Sequence, residues 1–265
     1  MITSLLVYLL CGAVAGILAG LLGVGGGIVI VPMLLVIFPT QNIPPELCQH
    51  LALGTSLASI VITSVSSARA HHKRGAVHWN IVKNITPGIL IGTFVGSLVA
   101  SHMPILFLKL FFICFLIIVA IKMISRYQPK AGREMPGFVG TSSVGGVIGL
   151  ISSFVGIGGG TLSVPFMTFC NVPMHEAVGT SAAIGFPIAL AGTLGYILGG
   201  LNAPNLPEGT LGFVHLYALF GLACASFCTA PLGARLSHSL PTAKLKQCFA
   251  VFLLFVAAKM LFNLI

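Results

Sequence analysis

The sequence predicts an all-α polytopic membrane protein made of two inverted repeats of about five segments each. Counting short broken or re-entrant helices, that gives roughly eight to ten transmembrane segments. Three observations carry this expectation. The 265 residues are 57% hydrophobic and only 6% charged, with a mean hydropathy of +1.07. Gly23-Val24-Gly25-Gly26-Gly27, followed by Pro32, returns as Gly156-Ile157-Gly158-Gly159-Gly160, followed by Pro165. Finally, among the loops only alternate ones carry Lys or Arg. One soluble core cannot hide this much apolar surface, and several runs exceed the roughly 20 residues that cross a bilayer.

Taken in order, the first half has an apolar run over 4–22, a glycine break, a short apolar piece over 28–38 and a polar loop ending at Glu46. Spans follow over 48–69, 80–101 and 105–125, the first of them containing Gly54-Thr55-Ser56. The second half repeats the order: 138–157, a glycine break, 161–170, then 175–199 carrying Gly179-Thr180-Ser181, and spans over 213–236 and 243–264. Gly interrupts a helix at about 1 kcal/mol per residue relative to Ala, so four glycines in five positions predict a break in each half. The resulting division is 1–126 for the first membrane repeat, 127–137 for a connector and 138–265 for the second repeat. The N-terminal run lacks the basic start and short core of a signal peptide and is expected to be retained.

Charge sets the orientation. Arg69, Lys73, Arg74 and Lys83, then Arg126, Lys130 and Arg133, then Arg235, Lys244 and Lys246 place three loops on the cytoplasmic side. The loops at 39–47, 101–104 and 200–210 contain no Lys or Arg and belong outside. All six loops obey the rule only if each glycine break sends the chain back toward the side it came from. Five segments per half then put the halves in opposite orientation, with both termini outside. The +9 net charge is thus a topological signal. It is not a nucleic-acid footprint, which needs a soluble basic face.

The chemistry concentrates in the duplicated motifs. A glycine-rich turn before a helix leaves backbone N–H groups unpaired at the positive end of the helix dipole, a cradle for anions. Gly25, Gly26 and Gly27 and their counterparts Gly158, Gly159, Gly160 and Thr161 are therefore candidate substrate-binding residues. Hydroxyls of Thr55, Ser56 and Ser59, and of Thr180 and Ser181, are candidates for the same role; the bland alternative is bonding to a carbonyl one turn earlier. For the glycines the competing reading is close helix packing. His50 and His175, each four residues before a Gly-Thr-Ser, are candidates for proton coupling. The only acids are Glu46, Glu134, Glu176 and Glu208, none placed at mid-membrane, which argues against a carboxylate cation site and for an anion. Seven scattered cysteines show no metal or redox spacing. No cofactor, metal or catalytic residue is read.

These strings, with Ala52-Leu53-Gly54-Thr55-Ser56, Ala177-Val178-Gly179-Thr180-Ser181 and Leu206-Pro207-Glu208-Gly209-Thr210-Leu211-Gly212-Phe213-Val214, resemble the sulfite exporter TauE/SafE family over essentially the whole chain. The resemblance implies a multi-pass transporter in a prokaryotic inner membrane, moving sulfite, sulfonates or sulfoacetate-like organic anions, by export more often than uptake. Its partners would be a small anion and the lipid bilayer, not nucleic acid. Two alternatives come from other classes: a passive anion channel, and an intramembrane hydrolase pairing Ser56 or Ser181 with His50 or His175. A hydrolase needs one asymmetric dyad, which a duplication of both parts does not supply.

Overall fold

The computed structural model describes residues 2–22, 26–125, 132, 134–236 and 242–262. Ten α-helices follow one another among them: α1 (Ile2–Leu22), α2 (Gly27–Ile37), α3 (Pro45–His72), α4 (Trp79–Ser101), α5 (Ile105–Ile124), α6 (Phe138–Val155), α7 (Gly160–Phe169), α8 (Met174–Gly200), α9 (Leu216–Leu236) and α10 (Thr242–Phe262). A short 3-10 turn, Phe38–Gln41, follows α2. A two-stranded ribbon, β1 (Thr210–Leu211) and β2 (Val214–His215), precedes α9. Seven helices are long and apolar enough to cross a membrane.

Of the other three, α2 and α7 are the shortest, with 11 and 10 residues. At 1.5 Å per residue each covers about 15–17 Å, half of a hydrocarbon core of about 30 Å. The first of them, α2, turns back along α1. Gly26 packs on Ala15 and Ala19 of α1, and the Tyr8 hydroxyl near the start of α1 donates to Gln41 just beyond α2, at 2.7 Å. Gly159 packs on Ile148 and Ser152 of α6 in the same register. In the first half the chain therefore returns along α1 after the break.

Packing repeats across the halves. α1 lies along α9, and α4 lies along α6; α3 crosses α8 and α5 meets α10. Exchanging α1–α5 with α6–α10 maps this set of pairs onto itself. Lipid tails are as apolar as leucine, so association in a membrane rests on close fit and not on a hydrophobic driving force. The fit here comes from small residues spaced by four. Gly12, Gly16 and Gly20 meet Leu222, Ser226 and Ala230, while Gly88, Gly92 and Gly96 meet Ser142, Gly146 and Leu150. Both pairs run parallel. The central elements are α3 and α8, buried over 78% and 61% of their apolar windows against 39% for α1, α4, α5 and α9.

The ends sort by charge. His71 at the end of α3 bonds the Gly20 carbonyl at the end of α1 (3.0 Å), and Arg74 donates to the Ala234 carbonyl at the end of α9 (2.7 Å). Arg69, Lys73, Arg74 and Arg235 thus share one face. The loops after α2, α4 and α8 lie on the opposite face.

Candidate functional site

The two breaks have the same local geometry. Gly26 (φ 79°, ψ −13°) and Gly159 (φ 75°, ψ −8°) take left-handed conformations that a side chain adopts only with strain. The Gly26 carbonyl accepts from Val29 and Ile30 at 3.0 and 3.1 Å, and the Gly159 carbonyl accepts from Leu162 and Ser163 at 3.0 and 2.8 Å. In the second break the N–H groups of Gly156 and Ile157 close back onto Ser152. The next four, on Gly158, Gly159, Gly160 and Thr161, bond to no carbonyl; the same holds for Gly27 and Ile28. Gly25 lies outside the described residues.

The breaks meet at the centre of the molecule. Gly27 abuts the Gly156 carbonyl and the Ile157 Cα, while Val31 and Leu53 close over Gly156. α3 and α8 wrap this junction. Ser56 donates to the Gly156 carbonyl at 2.7 Å, and on the other side Ser163 donates to the Ser181 hydroxyl at 3.0 Å. Ser59 bonds back to the Ser56 carbonyl at 2.8 Å, the intrahelical fate weighed from the sequence.

The threonines of the two Gly-Thr-Ser motifs have matched partners. Thr55 accepts the backbone N–H of His215, and Thr180 accepts that of His78, each at 2.9 Å. Gly54 lets the Phe213 carbonyl approach, and Gly179 does the same for the Ala76 carbonyl. Each motif therefore clamps the segment leading into a long helix of the other half, α9 or α4. Sequence reading assigned these hydroxyls to substrate; their observed protein bonds make them braces around the junction.

The two histidines are not brought together. His50 is buried at the face opposite the basic one, stacked on Phe213 of the β-ribbon at 5.0 Å. Neither ring nitrogen has a protein partner. His175 is largely exposed at the basic face beside Glu176, which also binds His78. Ser56 does not pair with His50: its hydroxyl donates to the Gly156 carbonyl. Among the described residues no cluster of His, Cys, Asp or Glu could hold a metal ion.

Sequence reading missed several groups. Ser152, Thr93 and Gln49 are fully buried, and their side-chain polar atoms, like the Thr161 hydroxyl, find no partner in the protein. Ser152 Oγ stands 3.6 Å from where a Cβ would sit on Gly159. A separate cavity of about 450 Å³ lies between α3, α4 and α8. Its lining is mostly apolar and includes Ser64, Arg69, His72 and Trp79. Ser64 and the Gly158 carbonyl both pack on Gly185, at 3.5 and 3.4 Å from its Cβ position. With four free N–H groups, neutral hydroxyls and no acid, the site can hold an anion by dipoles alone.

The sequence profile described as Sulfite exporter TauE/SafE matches residues 8–260. The chain belongs to the sulfite exporter TauE/SafE family. A "Probable membrane transporter protein" of Haemophilus influenzae is 39% identical over 261 residues, covering 98% of this chain and 99% of that one. The "Probable membrane transporter protein YdhB" of Bacillus subtilis is 27% identical, covering 90% and 91%. A protein of the same description from Methanocaldococcus jannaschii is 28% identical over 88% and 86%. No solved structure matches the chain. This TauE/SafE protein is accordingly a multi-pass membrane transporter and not an enzyme.

Proposed function

We propose that this TauE/SafE transporter carries small sulfur-containing anions, such as sulfite, sulfonates or sulfoacetate-like organic anions, out of a prokaryotic cell across its inner membrane. The observation that carries the reading is the junction of the two breaks, where unbonded N–H groups of the buried Gly158, Gly159 and Gly160 and of the half-buried Thr161 lie beside unpartnered hydroxyls. Gly26 and Gly27 form the opposing wall. Thr55, Ser56, Ser59, Thr180 and Ser181 hold the walls in register. Buried polar backbone without partners costs about 1–3 kcal/mol per group, and a ligand that satisfies it recovers that cost.

The shared break geometry and the interchangeable packing pairs support two inverted repeats, 1–126 and 138–265, joined by 127–137. Alternating access then means rocking of one half against the other about the junction. An inside-negative potential expels an anion with about 2.3 kcal/mol per charge per 100 mV, so export needs no coupling ion. His50 and His175 stay as the places where a proton would couple if flux follows pH. The test is flux of labelled sulfite and of methanesulfonate in proteoliposomes under an imposed potential. Saturable flux with counterflow is expected. Linear flux without counterflow identifies a channel, and no anion movement at all overturns the reading.

A further inference from the structure

The two breaks share a backbone but not a chemistry. Gly159 packs on Ser152 where Gly26 packs on Ala19. Thr161 follows Gly160 where Ile28 follows Gly27, and Thr93 stands three residues before Gly96 where Ala230 stands three before Gly233. Ser152 and Thr93 are 0% exposed, and the hydroxyls of both, with that of Thr161, have no protein partner. Thr93 packs on Gly149, one turn before Ser152 in α6, and on Gly192, one turn after the Ile188 that touches Gly159. Among the described residues, the hydroxyls left without a bond near the junction therefore gather at the second break and not at the first. A hydroxyl buried without a partner costs stability, so its retention marks a place where something else completes the bond.

Resting on the function proposed above, we infer that the transporter holds a single oxyanion at the second break only. Ser152, Thr161 and Thr93 are its side-chain ligands, beside the N–H groups of Gly158, Gly159, Gly160 and Thr161. The first break, lined by Ala19 and Ile28, is the apolar wall against which the second one closes. Hydroxyls both donate and accept, so the site takes a singly protonated oxyanion as well as the fully ionised one.

The experiment uses the full chain in detergent and in proteoliposomes, with labelled sulfite as probe. Wild type should bind one sulfite per chain. Ser152→Ala and Thr161→Val should each raise the KM for sulfite about tenfold, the worth of one hydrogen bond to a charged group. Because these hydroxyls bond nothing in the protein, the ligand-free variants should melt no lower than wild type, which separates a binding role from a structural one. Two sulfites bound per chain, or transport by Ser152→Ala and Thr161→Val with an unchanged KM, would overturn this inference and leave the function standing. Absence of binding and flux of sulfite in wild type would overturn this inference alone where methanesulfonate is still carried, and the two together where neither anion moves.

Discussion

At the scale of single residues, the two Gly-Thr-Ser threonines are the clearest case of a hydroxyl used by the fold. Each accepts a backbone N–H in a fully buried place. Thr55→Val or Thr180→Val leaves that N–H orphaned at a cost of about 1–3 kcal/mol. Thermal unfolding in detergent should show the loss, and Thr→Ser should restore most of it. His215 offers a second test. Burial pushes its pKa below the ordinary value of 6.5, and its Nδ1 accepts the Ala218 N–H at 3.2 Å, a bond that a proton on Nδ1 would break. The folded protein therefore binds fewer protons than the unfolded chain in mildly acid solution, and stability falls as pH drops through the ordinary imidazole range. His215→Asn, which retains an acceptor without titrating, should flatten that acid limb in melting curves taken between neutral and mildly acid pH.

At the scale of elements, the breaks and the small-residue seams can be probed separately. Gly159→Ala forces a side chain into a left-handed conformation, about 1–2 kcal/mol, and drives it against the Ile188 side chain. Reduced melting temperature and reduced sulfite flux should appear together, since the same turn holds the free N–H groups. Gly92→Leu pushes a branched side chain into the Gly146 backbone across the α4–α6 seam. Overpacking costs about 1–3 kcal/mol where side chains give way, and here backbone blocks them. Size-exclusion chromatography should show loss of the monodisperse peak. The β-ribbon was read from the sequence only as loop and the start of a span. Its two-residue strands are too short for a periodic signal, and left-handed Gly209 and Gly212 fix it through contacts with Tyr217 and Ile197.

At the scale of the molecule, the charge rule and the helix path make one prediction about orientation. Arg69, Lys73, Arg74 and Arg235 share a face, and α1 starts and α10 ends at the other. A periplasm-dependent reporter fused at either terminus should be active, and one inserted at Gly75 should be silent. Cytoplasmic localisation of either terminus would refute the inverted arrangement while leaving the membership in the TauE/SafE family intact.

The sequence by itself determined the membrane class, the positions of the breaks and the repetition of the chain. Hydropathy, glycine runs and loop charge are properties of contiguous stretches, and they survive without knowledge of neighbours. It also placed Gly158, Gly159, Gly160 and Thr161 where unbonded N–H groups are found. Only the tertiary structure decided which hydroxyls the protein itself consumes. Thr55 and Ser56 reach partners in the other half of the chain, at His215 and Gly156, whereas Ser152 and Thr93, which carried no motif, are left with none. A serine reads the same in sequence whether its bond is made or missing; the difference lies in what the other half of the molecule brings within 3 Å of it, since hydrogen bonding is decided by distance and direction and not by order along the chain.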